Sequence, residues 1–127
     1  MVAPLEDRIV QRTDGEHRLR FEPCPKRVRT YLGGVTVADS TRVLTMFETG
    51  HLPVYYFPLE DVRTDALVET SHRTHCPFKG DATYYSVKIG AREAEDACWH
   101  YREPLDAAPP ELSSHVAFYW NKMDAWY

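Results

Sequence analysis

Cysteine is scarce in this chain of 127 residues: Cys24, Cys76 and Cys98 lie far apart and are odd in number. They build neither a disulfide framework nor the paired C-x-x-C knuckles of a structural zinc site, so free thiols are expected. Long apolar runs are missing too, and nothing approaches the roughly 20 residues of a membrane span. The opening stretch MVAPLEDRIVQRTDGEHRLR is too charged to be the core of a signal peptide. These absences lead us to expect a cytoplasmic protein with no membrane partner. Positive charge is in deficit as well. Lys and Arg number 15 against 19 Asp and Glu, a net charge of −4, which does not supply the broad basic surface that binding to a phosphate backbone requires. Nucleic acid is therefore not an expected partner.

What the chain does have is the material for one core. Hydrophobic residues make up 43% and charged residues 27%, a balance that suits a single folded domain. The charge is uneven, since residues 1–30 carry 7 basic against 5 acidic side chains and residues 31–127 carry 8 against 14. Up to about Arg27 no apolar period is sustained, and Pro4, Gly15, Pro23 and Pro25 interrupt it. Residues 1–27 read as an arm or lead-in, with an added edge strand as the competing reading, and residues 28–127 as the domain.

Within 28–127 the pattern is of short strands. Val28–Leu32 and Val35–Asp39 flank Gly33-Gly34, which supplies the positive φ angles of a tight two-residue hairpin turn. Thr41–Phe47 and Val54–Phe57 are rich in β-branched and aromatic residues, and Ala66–Glu69 is a further short strand. Ala82–Ile89 alternates, and after Gly90 the stretch Ala94–Tyr101 alternates again, predicting a second hairpin. Helical candidates are confined to Glu111–His115 and the segment from Lys122 onward, and Val116–Trp120 suits a final buried strand. The expected class is all-β, mainly antiparallel, with a short helical element near the C-terminal end.

Four motifs stand out: Glu48-Thr49-Gly50-His51-x-Pro53-Val54-Tyr55-Tyr56-Phe57-Pro58, Thr74-x-Cys76-Pro77-Phe78-Lys79-Gly80-Asp81-Ala82-x-Tyr84-Tyr85, Ala97-x-Trp99-x-Tyr101-x-x-Pro104 and Ala117-Phe118-Tyr119-x-x-x-Asp124. In order and spacing they resemble domain-of-unknown-function family 427, which is sometimes filed under a nucleotidyltransferase heading. The resemblance covers roughly residues 28–127 and implies a small antiparallel fold similar to the β-tent of Mss4-like proteins. For nucleotidyl transfer itself the chain lacks both a Gly-rich phosphate loop with a following Lys-Ser/Thr and a paired-aspartate strand to hold magnesium.

Chemistry-bearing residues concentrate in two stretches. His72 to Asp81 places a thiol, an ammonium, a carboxylate and two imidazoles in ten residues, on a loop or strand edge. A lysine near Cys76 favours the nucleophilic thiolate, so Cys76 and Lys79 are catalytic candidates. The plainer alternative makes Cys76-Pro77 a buried corner and Lys79 an exposed turn residue. Glu48 precedes the aromatic strand, where desolvation suits a carboxylate to acid–base work, although an exposed loop would hold it equally well. No metal site is expected, because His75 and Cys76 point apart in extended chain and no zinc spacing is present. No cofactor is implied either.

Aromatic residues are plentiful at 13%. A sheet lined by such side chains can hold a flat small molecule, and Tyr56, His75, Tyr85, Trp99 and Tyr119 are the binding candidates. The expectation is a small-molecule-binding β domain, or an enzyme acting on a small polar substrate through Glu48, Cys76 and Lys79. A noncatalytic aromatic cage, or a homodimeric interaction module, is the alternative.

Overall fold

The computed structural model describes residues 11–14 and 17–127. The rest of the expected lead-in, residues 1–10 and 15–16, lies outside the described residues. The strands are β1 (Gln11–Asp14), β2 (His17–Pro23), β3 (Val28–Leu32), β4 (Val35–Ser40), β5 (Leu44–Glu48), β6 (Val54–Pro58), β7 (Leu67–Cys76), β8 (Gly80–Ile89), β9 (Arg92–His100), β10 (His115–Phe118) and β11 (Ala125–Trp126). They form two antiparallel sheets, one of eight strands in the order β1-β2-β5-β6-β10-β9-β8-β7 and one of three in the order β11-β3-β4. The chain is thus all-β. Its helical content among the described residues consists of short 3-10 turns, one of them at Pro110–Ser114 where a helical element was expected.

Both predicted hairpins form. Gly33 and Gly34 take φ of 58° and 77° between β3 and β4, the left-handed region that L side chains rarely adopt. Gly90, at φ 57°, joins β8 to β9. One expectation needs revision, and of the two readings of residues 1–27 the added strand describes residues 17–23. The segment from Lys122 onward is not helical: Ala125 and Trp126 pair with Tyr31 and Thr30 on the open edge of β3, and the Trp126 ring packs 6.2 Å from that of Phe57. Six residues are too few to nucleate a stable helix on their own, so edge pairing and burial of the indole win. Residues 17–23, part of the stretch read as a lead-in, form β2, which pairs along its length from Leu19↔Glu48 to Pro23↔Leu44. Leu19 and Phe21 are fully buried there.

Alternation along the central strands serves two cores at once. Tyr55 and Phe57, Tyr85 and Val87, Cys98, and Val116 and Phe118 face the first core, beneath the three-stranded sheet with Val28, Leu32 and Val37. Their neighbours Tyr56, Tyr84, Trp99 and Ala117 face the second, with Leu19, Phe21, Leu44 and Met46. Period-two geometry sends successive side chains to opposite faces, and strands apolar on both faces belong in the middle of a structure. The second core lies within the large sheet's own concave side, and that curvature creates the candidate site.

Candidate functional site

β5 and β8 are four places apart in the large sheet, a separation of roughly 19 Å if the sheet were flat. Yet the Lys79 ammonium, at the turn into β8, lies 3.2 Å from Glu48 Oε1 at the end of β5. The sheet is curled into a trough, and this ion pair joins its two walls. A second contact follows the same line, with the His17 ring of β2 stacked on Phe78 at 5.0 Å and 15°. Gly80 lets the β7–β8 turn pack closely beneath the segment that follows β9. Its φ is +115°, and a Cβ there would meet the Glu103 carbonyl oxygen at 3.2 Å. Next to it, the Lys79 carbonyl accepts a backbone hydrogen bond from Leu105 at 3.1 Å.

The ion pair is nearly dry, with side-chain exposures of 7% for Lys79 and 9% for Glu48. Ions so far out of water persist only when their charges are compensated. Lys79 Nζ also points at the Met46 sulfur, 3.2 Å away, and lies 5.8 Å from the centre of the Tyr101 ring. The other carboxylate oxygen, Oε2, is 3.0 Å from His17 Nε2. That approach is off the line a hydrogen bond needs, and the buried His17 Nε2 has no hydrogen-bond partner among the described residues.

The trough opens as a cleft of about 460 Å³ that both charged groups line together with Tyr56, Tyr84, Trp99 and Tyr119. Trp99 meets Tyr119 with ring centres 4.6 Å apart and Tyr56 edge-on at 6.3 Å. The Trp99 indole donates to the Tyr56 hydroxyl at 3.3 Å. Hydroxyls of Tyr119, Tyr84 and Thr74 form a chain with separations of 3.3 and 3.0 Å. Burial pushes the Tyr56 and Tyr101 phenols upward, and burial followed by the Tyr84 hydrogen bond does the same for Tyr119. These phenols stay neutral hydroxyls at ordinary pH. The result is an aromatic-walled cleft with one ammonium and one carboxylate side by side in its lining.

Of the eight residues singled out from the sequence, Glu48, Lys79, Tyr56, Trp99 and Tyr119 converge on this cleft. The readings of Lys79 as an exposed turn lysine and of Glu48 as an exposed loop residue do not describe this geometry. Cys76 is half-buried against the second core, and the Lys79 ammonium points to Glu48 and Met46 instead of the thiol. His75 and Tyr85 lie elsewhere. His75 is exposed on β7, 2.8 Å from Asp81. Tyr85, on the opposite face of β8 from Tyr84, accepts from Arg102 at 2.9 Å and lies 3.4 Å from His100 Nδ1. His17, Met46, Tyr84 and Tyr101 complete the site without having been singled out for it. Alternation along β8 separates Tyr84 from Tyr85, and the register that pairs Tyr84 with Trp99 puts Tyr84 on the cleft side. His17 was hidden in a stretch with no apolar period. Among the described residues, no group of three His, Cys, Asp or Glu side chains is arranged to hold a metal ion.

A family model described as Domain of unknown function (DUF427) matches residues 20–127, and the chain belongs to that family. No curated protein matches the chain. The match begins inside β2 and spans every residue that lines the cleft, while His17, which approaches Glu48 Oε2, lies outside the matched range.

Proposed function

We propose that this member of the DUF427 family is a small-molecule-binding β domain whose ligand lies against Tyr84, Trp99 and Tyr119 and presents a polar group to Glu48 and Lys79. The single observation that carries the reading is the ion pair. A lysine and a glutamate more than nine-tenths buried and opening into an aromatic cleft are costly to keep for packing alone. Concave, mostly apolar cavities with a few convergent polar groups are where small ligands bind. Chemically, Glu48 can take or return a proton while Lys79 stabilises negative charge developing on the ligand, so acid–base catalysis is within reach of the same arrangement. Cys76 has no part in this reading.

The test is a fragment screen by NMR, following the indole N–H signals of Trp99, Trp120 and Trp126 with a Trp99→Phe variant to assign the first. The expected result is that some flat heteroaromatic compounds shift the Trp99 signal saturably and leave Trp126 unmoved. A chemically diverse set of flat compounds, neutral and charged, none of which moves Trp99, would defeat the proposal.

A further inference from the structure

The polar end of the cleft specifies the charge of what it holds, on the premise that the cleft binds a small molecule. Lys79 has three N–H donors. One reaches Glu48 Oε1 at 3.2 Å and one the Met46 thioether at 3.2 Å, a weak acceptor, while the Tyr101 ring stands 5.8 Å off. Among the described residues, an ammonium whose side chain is 7% exposed therefore has donor capacity not spent on oxygen, and it lines the cleft. An oxygen acceptor on the ligand would satisfy it. Glu48 is its counterpart: each carboxylate oxygen has room for a second donor, and the carboxylate also lines the cleft.

The charges facing this point come from four places. Lys79 on the β7–β8 turn is positive and Glu48 on β5 negative, so the two cancel. His17 on β2 approaches the far carboxylate oxygen at 3.0 Å, and His51 stands at the rim of the cleft, exposed. The remaining polar wall groups are phenols and the Trp99 indole. A ligand carboxylate placed on Lys79 would lie against Glu48, and a ligand cation placed on Glu48 would lie against Lys79. Either would bring into the cavity a charge with no counter-charge of its own, and burying an uncompensated ion is strongly unfavourable. A neutral group that offers an acceptor and a donor side by side meets both residues at no such cost.

We infer that the cleft is selective for neutral planar molecules carrying an amide-type head, with the carbonyl oxygen accepting from Lys79 and the N–H donating to Glu48. The test uses three probes of nearly one shape and three charges: benzamide, benzoate and benzamidinium, titrated into the full chain at pH 7.5 and read from the Trp99 indole signal. Benzamide should bind at least about tenfold more tightly than either ion, in line with the penalty for an unpaired buried charge. In Lys79→Met the benzamide advantage should disappear. Should that variant fail to fold, the order of the three probes on the unaltered protein decides the matter alone. Benzoate or benzamidinium binding at Trp99 as tightly as benzamide would overturn the inference and leave the small-molecule reading intact. Failure of all three to move Trp99 would overturn it too, and the wider fragment screen would then judge the small-molecule reading separately.

Discussion

At the scale of single residues, the Glu48–Lys79 pair and His100 have the clearest consequences. Removing one member of a buried pair strands the other charge, so Lys79→Met and Glu48→Leu should each cost about 3–5 kcal/mol in urea unfolding. The double variant Glu48→Leu with Lys79→Met leaves no stranded charge and should recover most of the loss. Additive costs in that cycle would mean that the two groups do not stabilise each other. His100 behaves differently. Its Nε2–H donates to the Ser113 carbonyl at 2.6 Å and its Nδ1 faces the Tyr85 hydroxyl. Burial, assisted by the nearby Arg102 charge, holds its pKa below the usual value of 6.5 although the Ser113 bond opposes this. Below that pH the unfolded chain takes up a proton that folded His100 resists. The stability present above pH 6.5 is therefore lost as pH falls through the folded pKa. Burial lowers His115 likewise, its bond to the Glu111 carbonyl opposing, and adds in the same direction. Urea midpoints should drop between pH 7.5 and 5, and the His100 ring signal should titrate with a midpoint under 6.5. A midpoint at or above 6.5 would contradict this account.

Among the elements, β2 and the β7–β8 hairpin shape the site. β2 holds one wall of the trough through Leu19 and Phe21, both fully buried, with Phe21 6.0 Å from the Tyr56 ring. Phe21→Ala should therefore destabilise the protein by about 3–5 kcal/mol, as large-to-small changes in a packed core do. A loss within about 0.5 kcal/mol, the range of ordinary surface changes, would show that β2 is dispensable. The hairpin makes the opposite wall, and at its turn Gly80 adopts a φ of +115° beneath the Glu103 carbonyl, where a Cβ would be crowded. Cys76-Pro77-Phe78-Lys79-Gly80 forms the turn between β7 and β8, and it sends Lys79 to Glu48 and Met46, not to the Cys76 thiol. Its destination, Glu48 on a strand 31 residues earlier, is a matter of how the sheet curls.

For the molecule as a whole, more than half of the residue contacts join distant parts of the chain. β11 closes onto β3, where Thr30 donates to the Ala125 carbonyl at 3.0 Å across 95 residues, and Asp124 accepts from Gly33 and Arg92. The two cores share the central strands β6, β8, β9 and β10, so loss of packing in one core reaches the strands that carry the other. Unfolding should be a single cooperative transition, with far-ultraviolet circular dichroism and tryptophan fluorescence giving coincident curves. Folding should fall in the millisecond-to-second range typical of non-local β topologies. Two separated transitions would mean that the three-stranded sheet melts by itself.

The sequence by itself determined the class, the two glycine-hinged hairpins and most strands from β3 to β10, because alternation and turn chemistry are local properties of the chain. Of β7 it showed only the first residues, since Ala66–Glu69 read as a strand and His72–Cys76 as a loop or strand edge. It also determined five of the site residues as candidates, since a carboxylate, a lysine and aromatic side chains announce their chemistry by type. Tertiary structure alone decided which of them meet. Tyr84 and Tyr85 are neighbours of the same kind, and only the face of β8 that turned into the trough separated the cleft residue from the one bound to His100 and Arg102. The same holds for residues 17–23 and 122–127. Their local patterns are weak, and they became strands because β5 and β3 offered open edges and the two cores offered room for Phe21 and Trp126. Burial and edge pairing are energies of the assembled fold, and no window of sequence contains them.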